Sequence, residues 1–553
     1  AKNTGKGGVV YLSEADIIND LSQAYEFATV AEMTASNIVF PVGKKLNTIV
    51  NNTASNAGGA SYVVSSTAVA DGYGNHTLSG GNVATLCQGW LINAEQYGAT
   101  SSDSTLALQA AANAANGHNF TFGVNSRKLA TDEIIFPNKV NIVGGLLKNS
   151  PAGGNSNNPA IWLQASNSAI DHVDIEGEDI AGTYPVLAFS NSGVRIGPVS
   201  PDANNFLFGM CVGDNVKISQ MKGEGILMYH CRDSHIGNPE IKMCGYAGII
   251  CKSIIDSSID SPKIQDIHDE GVFVNHYGIA ITRDTNNDLV NFPPSTNIQV
   301  NQPVIKNVVN WLGFDTHAGV NITTNWVRCY NCAMGFNIQY DDETIGINSP
   351  RNIKLRGYAS GRSSLAETFT GVTILGTGSS RTKNIELDLV LEGYGSDTDQ
   401  QRAAITMGIV DNVKGKVELR DVKANGLYTN GICSDVDLDI DIYGISKTAG
   451  SSYYVRLDPP NLSKFKLRGN WGASFGGSDT ADIGVFYSSA QGSQYDVWLD
   501  KVRMDVPSEV WISDGASNKF GDMSWTVESE LISLTGQVIT GGTPFDQSLG
   551  NLA

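Results

Sequence analysis

The chain has 553 residues, 37 basic and 56 acidic, for a formal net charge of −19. That balance excludes a nucleic-acid-binding surface of the usual basic kind and a polybasic membrane-surface protein. Only 17% of residues are charged, 41% are hydrophobic and 60 are Gly, which is neither a disordered nor a coiled-coil composition and suits an all-β protein with many turns.

In chain order, residues 1–93 read as an irregular N-terminal head. A short amphipathic helix is expected within 17–31, followed by β-like runs such as Ser61-Tyr62-Val63-Val64. The first residues, Ala1-Lys2-Asn3-Thr4, show no apolar signal-peptide segment, and no run approaches the ~18 apolar residues of a membrane span. From 94 the character changes. Asp103-Ser104 is an N-cap for a helix over 104–116, with Leu106, Leu108, Ala111 and Ala115 as its apolar face and Gly117 ending it. Phe120-Thr121-Phe122 and Ile134-Ile135-Phe136 then begin a series of short strands.

Those strands repeat. Ile218 to Gly225, Ile241 to Gly248 and Ile264 to Gly271 share one frame, Ile-x6-Gly, and Ile305 to Gly313 is one residue longer. The glycines fall at intervals of 23 (225 to 248), 23 (248 to 271), 42 (271 to 313) and 22 (313 to 335), the long one holding a loop over 281–294. The period predicts a right-handed parallel β-helix over 94–454, because the leucine-rich consensus that shares this period is absent. In this reading Ile226/Met228, Ile249/Cys251, Val272/Val274, Phe314/Thr316 and Phe336/Ile338 point inward. Leu227/Tyr229, Ile250/Lys252, Phe273/Asn275, Asp315/His317 and Asn337/Gln339 point outward and become more polar in later coils. Beyond 455, Trp471, Trp498, Trp511 and Trp525 suggest a separate β-rich C-terminal domain over 455–553 that caps the helix. Of the eight Cys only Cys329 and Cys332 make a CxxC, with no second pair for zinc, so all are read as reduced, buried apolar residues.

Tyr97-Gly98-Ala99, Asp103 and Ala107-Leu108-Gln109-Ala110-Ala111 resemble the opening signature of pectin-lyase-like β-helices. With the head before it and the β-rich end after it, the chain resembles bacteriophage tailspike depolymerases, those of Acinetobacter phages above all. Gly313-Phe314-Asp315-Thr316-His317 also resembles a motif of such helices. The resemblance covers roughly 90–450, and the head is shorter than a full virion-anchoring domain. It implies a homotrimer on the phage tail or baseplate, folded in the host cytoplasm and acting outside the cell. Its partner would be a capsular or O-antigen polysaccharide of the bacterial surface, usually cleaved by hydrolysis, with lyases a minority.

Glycoside hydrolysis needs two carboxyl groups across one bond. Asp315 and Glu270 sit one predicted coil apart, with backbones roughly 10 Å from each other, so Glu270 is a candidate acid and Asp315 a candidate base. His317, between Asn275 and Gln339, and Asn337 offer sugar-binding polar groups; His276, Trp311 and Tyr340 flank them. The run Asp341-Asp342-Glu343 holds further candidate carboxylates, Asp341 and Asp342 first. A lyase would instead need a base such as Lys252, Arg283 or Arg328, and a non-catalytic adhesin would need no acid pair. Asp284-x-Asn286-x-Asp288 lacks the Gly and the closing Glu of a calcium loop. No HExxH, P-loop or dinucleotide motif is present, and no metal or cofactor is expected.

Overall fold

A computed structural model describes residues 2–3, 9–10, 23–52, 57–124, 126–150, 158–178, 191–268, 275–283, 288–341, 348–361, 370–378, 380–396, 402–423, 425–446, 453–458 and 461–472, and five later strands between 483 and 526 as backbone. The chain divides into two compact units, one of residues 1–179, 193–195 and 212–218 and one of the remainder.

In the first unit the head is a five-stranded sheet, in the order Tyr25–Phe27, Lys45–Asn52, Ala57–Ser65, Val83–Leu86, Asn75–Thr77. Ala60, Tyr62 and Val64 alternate into its core, as period-2 patterning requires. Among the described residues the head helix is α1, Val30–Ala35, which overlaps the end of the expected interval, and residues 17–22 of that interval lie outside the described residues; its N-cap Thr29 accepts from the Glu32 amide. The second helix is α2, Thr105–Ala114. It buries Leu108, Ala111 and, just past its end, Ala115 as predicted, with Ala107 and Ala112 beside them, while Leu106 is 69% exposed and is the one predicted face residue that points out. Parallel coils start earlier than expected: Leu91–Asn93 already pairs with Asn119–Thr121, and Ile134–Phe136 pairs with Ile161–Leu163. Lys128 and Glu95 form a buried ion pair of 2.7 Å between these coils and the turn at Ala94–Tyr97. Gly123 makes room for that carboxylate, since a Cβ there would stand 2.5 Å from it.

The second unit is a parallel β-helix. One side of its coils is a ladder of parallel strands: β1 (Glu224–Tyr229), β2 (Ala247–Lys252), β3 (Tyr277–Thr282), β4 (Leu312–His317), β5 (Met334–Gln339), β6 (Val372–Leu375), β7 (Ile405–Gly408), β8 (Asn425–Thr429) and β9 (Tyr453–Leu457). Ile226, Ile249, Ile279, Phe314, Phe336, Val372, Ile405, Leu427 and Val455 form one inward column, all fully buried. On the opposite sheet Ile241 stacks on Ile264, and Ile264 on Ile305 and then Cys329. These columns remove apolar surface from water at each ~4.8 Å step.

The third coil differs from the sequence-based frame. Ile249 pairs with Ile279, so the glycine above Gly248 is Gly278, and Ala280 and Thr282 take the outward places assigned to Phe273 and Asn275. Residues 269–274, including Gly271, lie outside the described residues. The true intervals are 23 (225 to 248), 30 (248 to 278), 35 (278 to 313) and 22 (313 to 335). The glycine is needed because the backbone passes close to the opposite sheet: a Cβ on Gly225 would lie 2.4 Å from Ile241 Cγ2, and one on Gly278 2.5 Å from Ile305 Cγ2.

The start of the expected C-terminal domain carries no change of architecture. Tyr453–Leu457 and Asn461–Trp471 continue the two parallel sheets, and Trp471 is fully buried with its indole N–H on the Ile440 carbonyl, 3.0 Å away. Trp498, Trp511 and Trp525 fall on later strands that pair in parallel as well.

Coil corners are made by residues with positive φ. Asp256, Asn297, Asn321, Asn352, Asn384 and Asn412, at φ 50–58°, form one corner column. Each Asn donates its side-chain amide to the carboxylate or amide oxygen of the corner below, at 2.7–2.8 Å. Asn tolerates the left-handed conformation and keeps a hydrogen-bonding arm. Asn352→Ala should therefore cost about 2–3 kcal/mol and Asn352→Gly about 1–2 kcal/mol, because Gly loses the two bonds without the left-handed strain. Thermal or guanidinium unfolding midpoints measure this; an Ala variant no worse than Gly would show that backbone strain does not select Asn here.

Candidate functional site

The outward columns of the β1–β9 ladder change chemistry at the fourth coil. Two residues past each glycine stand Leu227, Ile250, Ala280, Asp315, Asn337 and Thr373, and the column continues with Thr406 past Ala404. Two further on stand Tyr229, Lys252 and Thr282, then His317 and Gln339; extending the pairing Ile281–Thr316 by one residue sets Thr282 beneath His317. The expected neighbour Asn275 lies two residues before β3 instead, because the third coil carries extra chain ahead of its strand.

Asp315 is only 2% exposed although it faces outward. Its Oδ1 accepts from Asn337 Nδ2 at 2.7 Å and lies 3.2 Å from His317 Nε2. Asn337 Nδ2 reaches Gln339 Oε1 at 3.4 Å as well. A buried carboxylate needs such donors, and here they come from the neighbouring coil and from two residues along its own strand. His317 Nε2 faces both the Asp315 carboxylate at 3.2 Å and the Asn337 amide nitrogen at 3.3 Å, so it donates to Asp315 when it carries the proton and accepts from Asn337 when it does not. His317 is the member of this pair that meets solvent, its side chain 24% exposed.

The other end of the same strands is aromatic. Tyr246 and Trp311, each two residues before its glycine, pack against the outer apolar cluster of Leu227, Ile250, Tyr277 and Met334. Tyr246 and Tyr277 meet edge-to-face at 5.6 Å, and Tyr277 hydrogen-bonds Trp311. Burial raises both phenols well above the usual range. The charges of Glu224 and Asp315 add to this at Tyr246, and those of Asp315 and Tyr246 add at Tyr277. Both phenols therefore remain protonated donors at neutral pH. Glu224, also buried, accepts from Ser192 Oγ at 2.8 Å.

The structure thus gathers Asp315, His317, Asn337 and Gln339 into one network. It places Trp311 and the half-buried Tyr340 on its borders. His276 is fully buried, its ring 5.7 Å from that of His268, so it offers no ring face to a ligand. Glu270 and Asp342 lie outside the described residues. Asp341 is committed elsewhere: its carboxylate takes Arg283 Nε at 2.9 Å, both side chains under 5% exposed, and also the Asn348 amides. Arg283 is thereby removed as a candidate base, and Arg328 is on the opposite sheet. Tyr246 and Tyr277 escaped the sequence reading, although Tyr246-Ala247-Gly248 and Trp311-Leu312-Gly313 share an aromatic two residues before the glycine. Among the described residues no group of three His, Cys, Asp or Glu is placed to hold a metal ion.

No protein-family model and no curated protein matches the chain. Solved structures do. They include the enzymatically active domain of bacteriophage CBA120 tailspike protein 2, at 10% identity over 88% of this chain and 60% of that one, TM-score 0.39. The gp42 tailspike of Acinetobacter phage vb_AbaP_AS12 matches at 11% identity over 95% and 78%, TM-score 0.44. A GH87 alpha-1,3-glucanase catalytic domain in complex with nigerose matches at 12% identity over 76% and 74%, TM-score 0.36. The chain thus spans less than two thirds of the first of these structures.

The Arg283–Asp341 geometry gives a test. Asp341→Asn should lower stability by roughly 3–5 kcal/mol, since it leaves a buried guanidinium without its counter-charge, yet leave any polysaccharide-degrading rate per folded molecule unchanged. A catalytic Asp341 would show the reverse: normal unfolding and lost turnover.

Proposed function

We propose that the chain is a polysaccharide depolymerase of the phage-tailspike type, acting on a bacterial capsular or O-antigen polysaccharide. The observation that carries this reading is the Asp315–His317–Asn337 network, set in an outward column that is apolar in the three coils below it. Aromatic faces for sugar rings, amides for hydroxyl groups and a carboxylate–imidazole pair for proton transfer stand on one run of strands. In the mechanism proposed, His317 exchanges a proton with the glycosidic oxygen or the attacking water. Asp315 holds the ring and stabilises its imidazolium form, as a buried acid does in other acid–histidine pairs. Glu270 remains the proposed second carboxyl group, supplying the general acid of a hydrolase.

A lyase is the second reading, favoured by Lys252, which stands in the column of His317 as a possible partner for a uronate. Reducing ends without ultraviolet-absorbing unsaturated product mark a hydrolase; both together mark a lyase. A halo assay on encapsulated bacteria separates either enzyme from a non-catalytic adhesin.

Asp315→Asn and His317→Ala should each lower turnover by ~100-fold to 10,000-fold, the usual contribution of acid–base groups, with polysaccharide binding kept. Glu270→Gln should do the same if it is the acid. Near-normal rates in both Asp315→Asn and His317→Ala would move the chemistry off this face. We further propose, from the tailspike resemblance, a homotrimer on the virion tail; light scattering at micromolar concentration should give three times the chain mass of 58.8 kDa, and a monomer would refute it.

A further inference from the structure

The face that carries Asp315 also carries a cation whose charge no described group answers. Lys252 ends β2, and Cys251 before it is a core residue, so the lysine points outward. It is half-buried, between Tyr229 and Thr282 in the column of His317 and Gln339. Among the described residues its ammonium makes no ion pair or side-chain hydrogen bond. Its neighbours in the ladder, Tyr229, Ile250 and Thr282, bear no charge. The nearest acid of the ladder, Asp315, is two coils away and already holds Asn337 and His317.

An ammonium on this face without a described counter-charge is open to an anionic ligand, in a chain of net charge −19 that has carboxylates to spare for its other cations. Lys252 and His317 stand two coils apart, roughly 10 Å, with only the short Thr282 between them. We propose that Lys252 binds the carboxylate of an acidic sugar in the polysaccharide, one whose neighbouring glycosidic bond lies at His317. The inference rests on the depolymerase reading and adds to it that the substrate is anionic, whether cleavage is hydrolytic or eliminative. Lysine suits this task as a compact point charge that needs no fixed fork geometry.

The probe is capsular polysaccharide from a strain that the full-length protein clears in a halo assay. It is used native and after carbodiimide–borohydride reduction of its carboxylates to alcohols. Apparent affinity is measured in the Asp315→Asn background, which slows cleavage of the polymer. Lys252→Met should weaken binding of native polymer by roughly 10-fold to 100-fold, the size of one charged hydrogen bond, and leave binding of the reduced polymer unchanged. Lys252→Arg should retain most of the affinity, which separates lost charge from lost folding. Lys263→Met, an exposed lysine on the opposite sheet, makes the same change of net charge and should have no effect. Equal binding of native and reduced polymer, or a Lys252→Met variant that binds native polymer normally, overturns the proposal while leaving the depolymerase reading in place. Failure to clear or bind any encapsulated strain overturns both.

Discussion

Coil on coil, the backbone of this chain must turn at the same place, and the turns are held by left-handed corner residues that hydrogen-bond to one another. The Asn297–Asn321–Asn352–Asn384–Asn412 column shows how strict this is: the coils between successive corners differ in length, yet each amide reaches the oxygen below at 2.8 Å. Extra residues are absorbed elsewhere, away from the corners. With the corners fixed, every strand position has one neighbour below and one above. Asp315 therefore stands over Ala280 and under Asn337, and a slip of one residue would bring an outward acid into the column of Phe314 and Phe336. The candidate site is a product of that register.

Much of this was legible in the sequence. Alternating apolar residues after a glycine identified β1, β2, β4 and β5 and their inward columns, and the Ile241–Ile264 stack followed from the shared frame. Alternation is a local signal, however, and the third coil offers it twice. Gly271-Val272-Phe273-Val274 and Gly278-Ile279-Ala280-Ile281 both read as glycine followed by an alternating strand. The first even keeps the 23-residue interval. What selects Gly278 is a long-range fact, the fit of its bare Cα against Ile305 and the Gly313 carbonyl. The error then propagated one column: Asn275 was set under His317 where Thr282 stands. In helix α2 one residue of the predicted face, Leu106, points out. It is more apolar than Ala107, but small Ala107 is the residue buried, so size outweighed hydrophobicity there. The Arg283–Asp341 pair was not legible locally because its members are 58 residues apart.

The two sheets of the second unit treat charge differently, and the contrast bears on function. On the opposite sheet Lys354, Glu386, Lys414, Asp437 and Lys466 succeed one another in a single column, and Arg356, Asp388, Lys416, Asp439 and Arg468 in the next. Signs alternate at every coil, so no like charges stack ~4.8 Å apart. Glu386 is held below the usual carboxylate range, first by its hydrogen bond from Lys354 and then by the other cations around it. Each such pair is exposed and adds little stability singly; together they make a surface whose charges are already answered. The ladder of β1–β9 breaks that rule. Asp315 is buried with an imidazole in place of a permanent cation, and two coils below it Lys252 has no described anion at all. A stack evolved only for stability would have paired or removed both. Their persistence on one face, opposite two columns that alternate their charges coil by coil, is the pattern expected where local rules yield to a ligand.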